Sequence, residues 1–160
     1  MVINNSQIQV VSFSLGDELY GINIMDVKEL VKKENIRPLP GLPYFVEGII
    51  NLRGEIIPIV SLHKRFNLKD SPVQEEDDFS GGFIILNGIN MKVGVIIDKI
   101  SRVVTIQTSE IKPPPQMLTG IGREYIYGIV KNDSEYLIIL DTDKLFTNTE
   151  LSRISEVNLQ

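Results

Sequence analysis

The stretch Phe45–Phe66, FVEGIINLRGEIIPIVSLHKRF, decides the fold of this 160-residue chain. Two short apolar runs rich in β-branched residues, Val46–Leu52 and Ile56–Leu62, lie on either side of the pair Arg53-Gly54. This pattern predicts a β-hairpin with an arginine at its tip, because a two-residue turn ending in glycine suits the twist of antiparallel strands. Pro58 cannot donate a ladder hydrogen bond, so we expect it at an edge or a bulge.

The same design returns further along the chain. Residues Tyr125–Phe146 align with Phe45–Phe66 without a gap, at a spacing of 80 positions. Ser61 can cap a helical turn after the first hairpin, and Asp141 takes that place after the second. The identical pairs are Gly48 with Gly128, Ile49 with Ile129, Glu55 with Glu135, Ile59 with Ile139, Lys64 with Lys144 and Phe66 with Phe146. An internal repeat of this kind predicts two copies of one small β module.

Earlier segments repeat as well, at slightly different spacings. Residues 20–22, Tyr-Gly-Ile, match residues 93–95, Val-Gly-Val, at 73 positions. Residues 36–40 match the proline-rich residues 111–115 at 75 positions. The matches follow the same order in both halves, so the repeat extends over most of the chain.

This order predicts how the chain divides. Between the two sets of matches lies a stretch with Pro72, the acidic run Glu75–Asp78 and two glycines, which is typical of a solvated connector. We predict a first β module at 8–68, an acidic connector at 69–82, a second β module at 83–147 and a C-terminal tail at 148–160. The tail carries apolar residues at helix-like spacing, so either a helix or a frayed end is open.

Composition narrows the functional classes. The net charge is −5 and the 16 Lys and Arg residues are scattered, whereas nucleic-acid binding needs a basic face. The absence of cysteine excludes a disulfide scaffold and favours the cytoplasm. No apolar run reaches the ~18 residues of a membrane helix. The first residues lack the features of a signal peptide. We therefore expect a cytoplasmic protein without direct membrane insertion.

No set of residues suggests catalysis. An enzyme needs a positioned acid, base, nucleophile or metal site. The one histidine, His63, follows the first hairpin and is predicted to lie at the surface. One histidine without cysteine excludes the usual zinc sites. We expect no catalytic residues, no metal site and no cofactor, and a function that depends on apolar surfaces and strand edges.

Arg53 at the tip of the most apolar hairpin has two explanations. It is either a solvated turn residue or one half of a salt bridge that fixes the hairpin against the rest of its module. Glu29 is the candidate partner for the second explanation.

Several of these segments resemble the CheW family of bacterial chemotaxis coupling proteins. In the first half they are residues 20–30 (YGINIMDVKEL), 48–54 (GIINLRG) and 57–60 (IPIV). In the second half they are residues 93–98 (VGVIID), 113–115 (PPP) and 127–130 (YGIV). The resemblance covers roughly residues 8–147.

The resemblance implies both a fold and a function. The fold is mainly β, with two similar five-stranded SH3-like β-barrel subdomains and short helical turns, together forming one CheW-like domain. The function is that of a non-enzymatic adaptor, which couples the cytoplasmic tips of chemoreceptors to the histidine kinase CheA. Such a protein associates with membrane-bound receptor arrays from the cytoplasm, and its partners are the regulatory domain of the kinase and the helical hairpin of the receptor.

Matching positions then imply roles for single residues. They imply that Ile24, Val27 and Ile36 bind the kinase. They imply that the receptor is bound by Arg53, Ile56, Val93 and Val95. They also imply a structural role for Glu29, Gly48, Arg53 and Gly54. Ile24 is equally well explained as a core residue, because it alternates with Tyr20 and Ile22. Val27 and Ile36 lie outside that alternation and are the better interface candidates.

A nucleic-acid-binding small β-barrel is the alternative from another class, since such barrels often bind nucleic acids. It requires a basic face and stacking aromatic residues. Here the net charge is negative, tryptophan is absent, and most tyrosines and phenylalanines occupy strand positions.

Overall fold

The chain forms short β-strands almost throughout, as seen in a computed structural model that describes residues 6–68, 81–87, 91–114, 122–132 and 134–158. The strands in these residues are β1 (Gln7–Leu15), β2 (Glu18–Asn23), β3 (Val27–Val31), β4 (Val46–Leu52), β5 (Glu55–Ser61), β6 (Phe83–Asn87), β7 (Lys92–Ile96), β8 (Lys99–Gln107), β9 (Ile126–Asn132) and β10 (Glu135–Leu140). The helices are α1 (Leu62–Arg65) and α2 (Asn148–Asn158). Most of the predicted connector, residues 69–80, lies outside the described residues.

The strands form two five-stranded sheets of similar design. One sheet has the order β8-β1-β2-β10-β9 and is called barrel A here. The other has the order β3-β6-β7-β5-β4 and is called barrel B. An isolated backbone bridge helps to close each sheet, between Lys112 and Ile129 in barrel A and between Arg37 and Ile49 in barrel B. The predicted fold class is confirmed.

The barrels do not follow the predicted module boundaries. Strands β1 and β2 come from the first predicted module, residues 8–68, but pair with β8 and β10 in barrel A. Strands β6 and β7 come from the second, residues 83–147, but join β3 and β5 in barrel B. The boundaries are therefore wrong as limits of the barrels, because each half gives two strands to the other. The exchange depends on antiparallel and parallel pairs between distant strands, which an apolar pattern does not specify.

The internal repeat is still recognisable in the two barrels, where it places two glycines at equivalent positions. Gly21 of β2 lies opposite Ile139 of β10, and Gly94 of β7 lies opposite Ile59 of β5. A side chain at Gly21 would collide with Val10, and one at Gly94 would collide with Ile59. Glycine thus permits close packing at equivalent places in the two barrels.

Apolar side chains form three cores. The interior of barrel A contains Ile8, Val10, Ile106, Val130, Leu137 and Ile139. The interior of barrel B contains Val31, Ile50, Ile57, Ile59, Phe83 and Ile85. The largest core takes residues from both barrels and includes the stacked rings of Phe13, Tyr20 and Phe66. This shared core holds the two barrels together, since burial of apolar surface is the main stabilising force in folding.

The C-terminal tail is helical, which decides between the two possibilities left by its sequence. Thr147 and Glu150 form a capping box before the first turn of α2. The Thr147 hydroxyl accepts the Glu150 N–H at 3.1 Å, and the Glu150 carboxylate accepts the Thr147 N–H at 2.8 Å. Ile154 is fully buried in the shared core, so α2 is part of the folded domain.

His63 is buried, so the prediction that it lies at the surface is wrong. It lies in α1, and its Nε2 is 2.9 Å from Oδ1 of Asp98, just after β7. The other oxygen of Asp98 accepts the N–H of Gly16 at 2.7 Å. The sequence gives no local sign of this contact, because strand exchange brings the two side chains together.

Among the described residues, no helix is long and apolar enough to cross a membrane.

Candidate partner-docking site

The hairpin β4–β5 has the turn that its sequence predicts. Arg53 and Gly54 both have positive φ, at 51° and 87°, which is the conformation of a type I′ turn. The Asn51 side-chain oxygen accepts the N–H of Gly54 at 2.8 Å and fixes the turn. Gly54 suits this position because glycine adopts positive φ without steric cost.

Arg53 forms a salt bridge with Glu29, which is the second of the two explanations that the sequence left open. Its Nη2 donates to Oε1 of Glu29 at 2.5 Å. Glu29 follows a bulge in β3, between Val27 and Glu29, and the bulge changes the direction of the strand there. The pair joins β3 to the β4–β5 hairpin, and β3 and β4 are the two edge strands of barrel B. The Arg53 side chain remains 69% exposed although it is paired, so a partner can still contact it.

Exposed apolar residues accompany this salt bridge. Ile56, three residues after Arg53, is exposed, as is Leu30, the neighbour of Glu29. Sequence reasoning identified Ile56 but missed Leu30. Exposure alternates along β3, and Leu30 occupies one of the exposed positions of that strand. We call the residues Glu29, Leu30, Arg53 and Ile56 the barrel B end.

The predicted kinase-binding residues are only partly buried and lie in two places. Ile24 and Val27 both pack against the shared core. Ile36 packs against the interior of barrel B. Ile24 begins a 3-10 turn that is capped by Asn23, whose side-chain oxygen accepts the N–H of Met25. The same turn presents Met25, which is 80% exposed and was missed from the sequence because it follows no strand alternation.

Val93 and Val95 were assigned to a receptor groove, and this assignment is wrong. Their side chains are 2% and 0% exposed and belong to the shared core. Strand β7 lies in the middle of barrel B, between β6 and β5. Alternation identified the buried face of β7 correctly, but that face is covered by barrel A and cannot contact a partner.

The structural role implied for Gly48 has a physical basis. Gly48 has a φ of 154° and lies at a bulge in the pairing of β4 with β5. A side chain there would collide with the backbone oxygen of Arg37, which bridges to Ile49. Glycine at this position allows the segment after β3 to close barrel B.

Comparison with known proteins identifies the fold and the family. The family model for the CheW-like domain matches residues 9–150. The chemotaxis protein CheW of Treponema pallidum is 50% identical over 157 residues, covering 98% of this chain and 92% of that protein. The chemotaxis protein CheW of Klebsiella aerogenes is 30% identical over 145 residues, covering 91% and 85%.

A solved structure has a similar fold. The scaffolding protein TtCheW from Thermoanaerobacter tengcongensis matches with a TM-score of 0.79 and 37% identity, over 92% of each chain. The sequence matches and the structural match both extend over nearly the whole domain, including both barrels. This chain belongs to the CheW family of chemotaxis scaffold proteins.

Proposed function

We propose that this protein is a cytoplasmic, non-enzymatic adaptor that couples the cytoplasmic tips of chemoreceptors to the histidine kinase CheA. The observation that carries the proposal is the barrel B end, where an exposed ion pair lies beside two exposed apolar side chains. Apolar groups at the surface with charged groups around them are typical of protein interaction sites. A scaffold protein needs such sites for each partner that it joins.

The receptor site of this proposal is the barrel B end. Arg53 is rigidly held by the type I′ turn and by Glu29, while most of its side chain is exposed. Ile56 supplies an apolar contact next to it. A helical hairpin with an apolar stripe flanked by carboxylates or amides would complement this combination. Val93 and Val95 are buried and are not part of this site.

The kinase site of this proposal is the turn between β2 and β3. Ile24 and Val27 offer apolar side chains that are partly exposed, and Met25 adds a large exposed one. Methionine adapts its shape to a partner more readily than branched residues do. Ile36 remains a candidate at the margin of this site, on the segment that closes barrel B.

Calorimetric titration with the regulatory domain of CheA from the same organism tests the kinase site. We expect saturable one-to-one binding that is weakened by Val27→Asp and by Met25→Asp. Val103→Asp, at an exposed position in barrel A, is the matched control and should bind normally. Because Val27 touches the shared core, Met25→Asp keeps the test valid if Val27→Asp unfolds. Normal binding by the folded Met25 variant would exclude this turn, and no binding by the wild type would exclude the kinase as a partner.

A further inference from the structure

Two helical turns lie side by side where parallel strands of barrel A end. Strands β2 and β10 pair in parallel. Each is followed by a short 3-10 turn, Ile24–Asp26 after β2 and Thr142–Lys144 after β10. Because parallel strands end at the same edge of a sheet, the two turns become neighbours although they are far apart in the sequence.

A side-chain hydrogen bond joins the two turns. The Thr142 hydroxyl donates to Oδ2 of Asp26 at 3.0 Å, across 116 positions of the chain. Both residues are partly buried. A hydrogen bond to a charged acceptor is stronger than one between neutral groups. The bond therefore ties the end of the first turn to the start of the second.

Barrel B has a related contact at its equivalent edge. Strands β5 and β7 also pair in parallel, and His63 in the helix after β5 lies 2.9 Å from Asp98 just after β7. The residues before the two aspartates differ in exposure. Ile97, before Asp98, is 1% exposed, whereas Met25, before Asp26, is 80% exposed. The same kind of contact thus joins buried elements in barrel B and supports an exposed side chain in barrel A.

Polar contacts fix both ends of the turn that carries Met25. None of residues 24–26 is fully buried, so the core constrains this turn only in part. At its start the Asn23 side-chain oxygen accepts the Met25 N–H at 2.9 Å. At its end Thr142 holds Asp26. A surface that is already fixed loses less conformational entropy when it binds, so these contacts should raise the affinity for a partner.

We propose that Thr142 is a positioning residue of the kinase site, because its hydroxyl holds Asp26 and thereby fixes the turn that presents Met25. The inference rests on the proposed function, in which this turn contacts the kinase. Thr142 acts through Asp26 and does not itself contact the partner. A residue at the end of the second repeat thus contributes to a site that the first repeat presents.

Amide hydrogen exchange of the free ¹⁵N-labelled chain tests the positioning. Thr142→Val keeps the shape of the side chain but removes the hydroxyl, so exchange at the Met25 and Val27 amides should become about fivefold faster. Both amides donate within this turn, to the Asn23 side chain and to the Ile24 carbonyl. Thr142→Ser keeps the hydroxyl and should exchange as the wild type does.

Thr108→Val is the matched control. Thr108 begins another 3-10 turn, after β8, and its hydroxyl donates to the carbonyl of Ser6 at 3.2 Å. This variant loses a threonine hydroxyl of the same kind at a different turn. It should leave amide exchange at Met25 and binding of the kinase unchanged.

Calorimetric titration with the regulatory domain of CheA tests the consequence for binding. Thr142→Val should weaken binding by about fivefold, and Thr142→Ser should bind as the wild type does. Asp26→Ala removes the same hydrogen bond from the other side and keeps the test valid if Thr142→Val unfolds. Because the two residues act together, the double variant should bind no more weakly than Asp26→Ala alone. Circular dichroism checks that each variant is folded.

The outcomes separate this inference from the proposed function. No kinase binding by the wild type would overturn the proposed kinase site, and the inference with it. Normal binding or unchanged amide exchange in the folded Thr142→Val protein would overturn the inference alone, as would additive losses in the double variant. Equal losses in Thr142→Ser and Thr142→Val would show that the hydroxyl is not responsible, and would also overturn it.

Discussion

Arg65 of α1 and Glu150 of α2 form a bidentate ion pair, although 85 positions separate them. Nη1 of Arg65 lies 2.8 Å from Oε2 of Glu150, and Nη2 lies 2.8 Å from Oε1. Nε of the same arginine donates to the carbonyl of Leu145 at 2.9 Å. The guanidinium also lies over the ring of Phe45, 4.6 Å from its centre. One side chain therefore ties the C-terminal helix to the end of the first repeat.

We expect Arg65→Ala to lower the free energy of unfolding by ~2–3 kcal/mol. The Arg65 side chain is only 10% exposed, so its removal leaves the Glu150 carboxylate poorly solvated and unpaired. Arg65→Lys should lower the free energy of unfolding by about 1 kcal/mol, which is less than for Arg65→Ala. Lysine keeps the charge but cannot donate in the same planar fork. Urea unfolding followed by circular dichroism measures both values.

Lys64→Ala is the matched control for the ion pair of Arg65 with Glu150. Lys64 is the neighbour of Arg65 and pairs with Glu47 at 2.7 Å, but about half of its side chain is exposed. Exposed pairs contribute about 0–1 kcal/mol, so this variant should stay close to wild type. Equal losses for Lys64→Ala and Arg65→Ala would contradict the role assigned to the pair of Arg65 with Glu150.

The salt bridge between Arg53 and Glu29 should contribute far less to stability. Because the arginine is mostly exposed, a double-mutant cycle with Arg53→Ala and Glu29→Ala should give a coupling energy of about 0.2–1 kcal/mol. The same cycle on Lys92 and Glu55, another exposed pair of barrel B, is the control. A coupling above ~2 kcal/mol would indicate a mainly structural pair. Strong loss of receptor binding in Arg53→Ala with little loss of stability would favour a contact role.

Local sequence patterns predicted the parts of the fold that depend on near neighbours. The hairpin from Val46 to Ser61 was predicted with its turn residues, because strand alternation and Arg53-Gly54 act within a few residues. The contact of Arg53 with Glu29 was one of the two explanations that the sequence left open for this arginine. The repeat was visible from matching residues at fixed spacing, and it predicted two similar β modules.

Long-range pairing determined the parts that the sequence did not predict. The exchange of β1 and β2 into barrel A changes what covers each face, so Val93 became a core residue and not a groove residue. The same exchange buries His63 against Asp98, 35 positions away. Neither contact has a local signal.

The burial of Val95 gives a prediction that separates core from interface. Val95→Ala should lower the free energy of unfolding by ~2 kcal/mol, because it removes two buried methyl groups and leaves a cavity in the shared core. Ile56→Ala, at an exposed strand position, should cost less than ~1 kcal/mol. Urea unfolding measures both variants. A Val95→Ala protein as stable as wild type would contradict the placement of the Val95 side chain in the shared core.

Tyr20 gives a prediction about alkaline pH. Burial in the shared core, with a smaller contribution from Glu18, raises its pKa from 10.0 to about 12. A folded-state pKa above the unfolded value means that Tyr20 contributes stability below pH 10, and that this contribution is lost as the pH rises towards 12. The free energy of unfolding should fall by up to ~3 kcal/mol across this range from Tyr20 alone. Tyr20→Phe has no ionisable ring and is the control, so the difference between the two proteins isolates the tyrosine. Urea unfolding at several pH values from 9 to 12 measures it, and parallel stability curves would show that Tyr20 ionises as easily in the folded as in the unfolded chain.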